Sequence, residues 1–167
     1  MIVETARLRL VMPAAAHVAA HTAFLTSARA GALGWRTMPH DAWRNFAVFA
    51  GHHVLRGFGP MVAEAKDDGR TVGIFGPWRP DGQPENEIIW SVWSDPDEGK
   101  GFAREAATAM LRHAFGVLNW RTAVSYIAFG NERSAGLAQR LGAVQDQNWT
   151  TPRGTEVRVF RHPGGEA

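Results

Sequence analysis

The run Glu98-Gly99-Lys100-Gly101-Phe102-Ala103-Arg104-Glu105-Ala106 places two glycines directly ahead of a helix. The helix is read from Ala103, Ala106, Ala107, Met110, Ala114, Phe115 and Leu118, an apolar stripe over about Phe102–Leu118. A glycine turn feeding a helix start offers free backbone N–H groups and the positive helix end to an anion. Gly-x-Gly alone is common in tight connections, so its neighbours decide its meaning. Upstream, Glu87–Trp93 reads as a buried central strand rich in aromatic and β-branched residues. Downstream, Thr122–Phe129 reads as another strand, and Asn131 opens a short helix with Leu137 and Leu141 that Gly142 stops.

Two phosphate-binding folds fit this segment poorly. Arg104 stands where the dinucleotide fingerprint needs its third glycine, and only 35 residues follow Glu132 in a chain of 167. A Walker loop needs Gly-Lys followed by Ser or Thr, whereas Lys100 precedes Gly101.

Further out, Thr5–Val11 alternates polar and apolar residues as a half-buried strand does. Pro13 and Ala14–Ala16 start an alanine-rich helix expected to reach about Ala28. Asp41 is placed as the cap of a second helix with Trp43, Phe46, Ala47 and Ala50 on one face, ended by Gly51 and followed by His52-His53. The stretch between, with Gly31, Gly34, Trp35 and Pro39, reads as irregular. Pro60–Ala65 and Thr71–Gly76 pair through a turn at Lys66–Arg70, and a polar loop then leads to Glu87. Strands near Ala143–Thr150 and Thr155–Arg161 close the chain, and the tail His162–Ala167 is expected to fray. The order β-α-α-β-β-β-α-β-α-β-β describes one mixed α/β domain spanning 1–167, with seven strands and four helices.

Composition limits the function. No apolar run approaches the roughly 20 residues of a membrane span, and the first residues lack the basic and apolar regions of a signal peptide, so a cytoplasmic placement away from membranes is expected. There is no cysteine, which removes disulfides, thiolate nucleophiles and Cys-ligated metals. Net charge is +2 although the pI is about 9.7, because all basic residues except Lys66 and Lys100 are arginines. They are scattered singly among acids, which argues against a nucleic-acid face and for a small anionic ligand.

Three motifs together resemble the GCN5-related N-acetyltransferase (GNAT) superfamily, in its RimJ/RimL-like branch. Glu4-Thr5-Ala6-Arg7-Leu8-Arg9-Leu10 is similar to that branch's opening strand, Glu98–Ala106 to its acyl-CoA pyrophosphate loop, and Asn131-Glu132-Arg133-Ser134 with Leu141-Gly142-Ala143 to its Asn-x-x-Ser segment. Pro96 departs from the Arg or Gln that many members carry there, which shifts phosphate contact toward backbone amides. The resemblance implies the GNAT fold: a mostly antiparallel sheet splayed between its fourth and fifth strands, with the pantetheine arm of acetyl-CoA entering the gap as an added strand would. It implies main-chain contacts near Val92 and Trp93. The pyrophosphate falls to Glu98, Gly99, Lys100, Gly101, Phe102, Ala103 and Arg104, with Asn131 and Ser134 holding the arm.

The implied reaction is direct transfer of acetyl to a primary amine, on a protein N-terminus or a small molecule, in a ternary complex. The amine must lose a proton, the oxyanion needs a donor and the thiolate needs a proton. Glu87 is the implied base and a backbone N–H near Val92 the implied donor. Many members place a tyrosine at the position of Ala138; here Ser134, or the sole tyrosine Tyr126, takes its place. Trp35, Trp78 and Trp90 are candidates for the acceptor cleft, although tryptophans more often pack in cores. His17 and His21 share a helix face without a third ligand, so they read as solvated and no metal is expected. A non-catalytic acyl-CoA-binding module is the alternative, and the chain is expected to be a monomer or homodimer.

Overall fold

The computed structural model describes residues 1–152 and 154–164. Eight strands form one sheet: β1 (Ile2–Glu4), β2 (Leu8–Val11), β3 (Met61–Ala65), β4 (Thr71–Trp78), β5 (Glu87–Val92), β6 (Ala123–Ala128), β7 (Val144–Thr150) and β8 (Glu156–His162). Their spatial order is β1-β2-β3-β4-β5-β6-β8-β7, antiparallel throughout except for β5 and β6. Helices α1 (Val18–Leu25), α2 (Ala28–Ala32) and α3 (Pro39–Arg56) precede the central strands, α4 (Phe102–Gly116) joins β5 to β6, and α5 (Glu132–Arg140) follows β6.

Alternation along the strands explains two cores. Leu8, Leu10, Met61 and Phe75 point to one face and pack with Phe102, Ala106 and Met110 of α4. Val62 and Ile74 point to the other, where Phe24, Leu25 and Phe46 of α1 and α3 cover them. The β3–β4 hairpin forms as expected, with Gly69 at φ +76° in its turn.

Several boundaries differ from the sequence reading. An eighth strand, Ile2–Glu4, adds to the edge, and Thr5–Arg7 leave the sheet because Thr5 Oγ1 bonds its own turn. The first helix stops at Leu25, short of Ala28, and a separate helix, α2, forms at Ala28–Ala32 in the stretch read as irregular. Between them Ser27 Oγ donates to the Phe24 carbonyl and accepts from the Ala30 amide, closing α1 and capping α2. That raises the helix count from four to five. Helix α3 begins at Pro39, passes through Gly51 and ends at Gly57, whose φ of +74° supplies the left-handed stop. His52 and His53 therefore lie inside it.

His17 and His21 are buried, not solvated. His17 bridges the Ala14 amide and Glu64, and His21 packs among Phe46, Phe49 and Trp93. His162 belongs to β8 and is buried, because the strand continues beneath Trp90; Gly165–Ala167 of the expected frayed tail lie outside the described residues. No helix among the described residues is long and apolar enough to cross a membrane.

Candidate active site

The parallel pair β5–β6 touches at one registered position, Glu87 opposite Val124. The Val124 amide donates to the Asn86 carbonyl at 2.9 Å, and one residue on, Ser125 Oγ donates to the Ile88 carbonyl at 2.7 Å in place of a ladder bond. Beyond these two contacts the strands part. The even-numbered residues of β5 then present main-chain groups to the opening, as the Ile88 contact shows, while the Trp93 amide turns the other way to the Val72 carbonyl. Val92 therefore faces the opening. Trp93, expected beside it, does not: its amide is bound to β4 and its ring is buried against His21 and Phe46.

Two cavities meet in this gap, one of about 900 Å³ and one of about 990 Å³. They share Leu33, Trp35, Trp90, Asn131 and Ser134. The first ends on the glycine loop. Gly99 and Gly101 adopt φ of +71° and +81°, a backbone that a side chain would strain. Among the described residues, no carbonyl or side chain accepts from the six consecutive amides of Gly99 through Arg104. The space beside Gly99 where a Cβ would project is open. Six free N–H groups at the start of a fifteen-residue helix form a concave donor array suited to a pyrophosphate. The residues present thus fit the phosphate end of acetyl-CoA.

The loop is held from outside. Glu105 of α4 accepts from Thr5 Oγ1 at 2.6 Å, from the Arg7 amide at 2.8 Å and from Arg7 Nε at 2.7 Å, while Arg7 also donates to the Lys100 carbonyl at 2.9 Å. Asp97 is buried, bound to Arg70 and Ser94, and these partners hold its carboxyl below the usual range against the cost of burial. The Glu98 carboxylate pairs with Arg29 and Arg133, and Arg29 also donates to the Val92 carbonyl at 3.2 Å. The contacts of Arg29, Arg133, Arg7 and Glu105 escape a sequence reading, because they join positions up to 100 residues apart and no local spacing encodes them. Lys100 points toward Asp97 at 3.7 Å. Phe102 lies beneath the Arg7 guanidinium, and Ala103 and Arg104 line the cavity.

Glu87 lines the second cavity, buried at the point where the strands separate. Burial pushes its carboxyl up to about 7, opposed by hydrogen bonds from Gln83 Nε2 at 2.6 Å and from the Tyr126 amide at 3.4 Å. Asn131 caps α5, its Oδ1 accepting from the Ser134 amide at 3.2 Å. Ser134 Oγ accepts from Trp90 Nε1 at 3.3 Å, which leaves its own hydrogen free to donate toward the gap. The Tyr126 hydroxyl is buried and makes no hydrogen bond within normal limits among the described residues; burial first, then the charges of Glu85 and Glu87, push it up to about 12, opposed by the Glu85 backbone and Arg161. The three candidate tryptophans stand at the cavities: Trp35 is half exposed between both, Trp90 divides them, and Trp78 lines the second while stacking on His52 at 4.6 Å. Trp149, which the sequence reading passed over, joins them by packing on Tyr126 at 4.6 Å.

The comparisons agree with this geometry. An acetyltransferase from Agrobacterium tumefaciens superposes with a TM-score of 0.88 at 29% identity, covering 97% of this chain and 94% of that one. A GNAT-family acetyltransferase from Bacillus anthracis shares the fold at a TM-score of 0.80 and 14% identity, over 99% of this chain and all of that one. So does RimL, a ribosomal L7/L12 α-N-protein acetyltransferase solved with coenzyme A, at 0.77 and 14% over 98% of each chain. The acetyltransferase (GNAT) domain model matches residues 7–144, which takes in the loop clamp, the parted strands and the glycine array. This chain belongs to the GNAT family and is an acyl-CoA-dependent acetyltransferase.

Proposed function

We propose that the chain transfers acetyl from acetyl-CoA to a primary amine by direct attack in a ternary complex, with Glu87 as general base. The observation that carries this reading is Glu87 itself: a buried carboxyl lining the cavity opposite the glycine array, with a pKa raised to about 7. Bound acetyl-CoA supplies a thioester acetyl group, whose transfer makes an N–C bond, breaks the C–S bond and releases a thiolate.

The chain's residues do the rest. Amides of Gly99 through Arg104 hold the phosphates, and main-chain groups of Trp90 and Val92 receive the arm. Arg29 already donates to the Val92 carbonyl, which has a second lone pair left, and its contact does not engage the Val92 amide. An ammonium acceptor sheds two protons on becoming an amide. Glu87 takes one and passes it to solvent; the other reaches the thiolate, with Ser134 Oγ as donor, oriented by the Trp90 indole. Tyr126 is less suited to that step, because its hydroxyl is buried and burial pushes its pKa up to about 12.

The test is the pH profile of kcat/KM with a saturating acetyl group. Wild type should rise to a plateau with an apparent pKa near 7. Glu87→Gln should lose that limb and about 100-fold in kcat while its acetyl-CoA KM changes little. A Glu87→Gln enzyme with wild-type turnover and the same pH limb would remove Glu87 from the role.

A further inference from the structure

The two cavities divide the chain's charge unequally. Arg29, Arg104, Arg133 and Arg140 line the first. Among the described residues, no lysine or arginine lines the second. Its charged groups are both acidic: Glu87 at depth and Asp81 at the rim, fully exposed and held only by Arg56 at 3.6 Å.

Around them stand aromatic rings. Trp78 meets Phe49 edge-on at 5.2 Å on one side, Tyr126 packs on Trp149 on the other, and Trp35 and Trp90 close the end toward the first cavity. Four of the chain's seven tryptophans are spent here.

We propose that the acceptor is a single ammonium carried on an uncharged aromatic or apolar body, with no carboxylate or phosphate near the amine. This rests on the amine-acetylation reading above and narrows it. An ammonium is drawn by two carboxylates and by ring faces, whose negative quadrupoles attract cations. An apolar body gains by leaving water for ring surfaces at a site of this volume. The α-carboxylate of a free amino acid would lie beside Glu87 with no lysine or arginine among the described lining residues to pair with, and like charges so placed repel. A polyamine carries further ammonium groups, and among the described lining residues only Glu87 and Asp81 could pair with them.

Two sources share this chemistry: a small arylalkylamine, and a peptide N-terminus beginning with an aromatic residue. The experiment measures kcat/KM with acetyl-CoA for 2-phenylethylamine, phenylalaninamide, phenylalanine, spermidine and an amidated tripeptide that begins with phenylalanine. Phenylalaninamide should exceed phenylalanine about 100-fold, since the pair differs by one buried negative charge. The faster of 2-phenylethylamine and the tripeptide identifies the source. Phenylalanine or spermidine matching phenylalaninamide would overturn the proposal. Acetyl-CoA binding with no thiol release for any amine would instead overturn the acetyltransfer reading, and this proposal with it.

Two exposed or half-exposed positions supply independent checks. Asp81→Lys should shrink the amide-to-acid ratio about tenfold by giving the carboxylate a partner. Trp149→Ala should raise the KM for 2-phenylethylamine about tenfold and leave that for acetyl-CoA unchanged. A ratio and a KM that both stay at wild-type values in folded variants would count against this assignment of the cavity.

Discussion

Glu87 and two histidines set opposite slopes on the stability of the chain. The folded pKa of Glu87, about 7, lies above its ordinary 4.5, so the folded state holds a proton that the unfolded chain gives up. Its contribution is complete below pH 4.5 and is lost as pH rises through 7, about 3 kcal/mol in all. Glu87→Gln should therefore melt several degrees above wild type at pH 8 and show no such gain at pH 4, as thermal denaturation would record. His21 and His162 act in the other direction. Burial lowers both to about 4, so the unfolded chain takes up protons first and stability falls as pH drops from 6.5 toward 4. His21→Leu should flatten that acid limb in melting curves taken from pH 4 to 7, and a limb as steep as wild type would show that His21 does not cause it. The candidate base was named by the family resemblance together with its place at the start of a central strand. The burial of His21 was not legible, because an alanine-rich helix leaves open which of its faces Phe46 and Trp93 will cover.

At the scale of elements, the glycine loop works because something outside it keeps it open. Glu105 ties the first turn of α4 to Thr5 and Arg7, and Arg7 reaches on to the Lys100 carbonyl. Glu105→Ala should weaken acetyl-CoA binding by about tenfold in calorimetry, with a loss of about 1–3 kcal/mol in stability. Gly101→Val should weaken binding at least as much, since its φ of +81° strains a β-branched residue. Unchanged affinity in both variants would mean that the loop does not hold the phosphates. Turn chemistry made the loop readable, and apolar spacing made α4 and α5 readable. Spacing misled for α1 and α3: Ser27 ended early a helix that alanines favoured, and Gly51 failed to end one. A single glycine inside a helix costs about 1 kcal/mol, which Ala42 and Phe46 offset by packing against the sheet.

Across the whole molecule, function depends on an incomplete sheet. Among the described residues, one registered pair, the Ser125 hydroxyl and the Tyr126 amide on the Glu87 carboxyl join β5 to β6, so the unpaired main chain beyond them is open to an added strand. Acetyl-CoA should raise the melting temperature in a concentration-dependent way and slow amide hydrogen exchange in β5 and at Gly99–Arg104, while β1–β3 exchange as before. Uniform protection, or none, would place the ligand elsewhere. The sequence by itself determined most of the order of elements and the anion-binding turn, because turns, caps and period are properties of neighbouring residues; its motifs carried the family resemblance, and that resemblance named Glu87 and Ser134 as candidates. The resemblance implied a splay between these strands, but the tertiary structure alone decided where it begins, that Trp93 turns away from the gap while Val92 faces it, and that arginines gather on one side of Trp90 and aromatic rings on the other. Those outcomes follow from which distant residues meet across the sheet, such as Arg7 with Glu105 or Trp90 with Ser134, and the spacing within any single segment carries no record of such meetings.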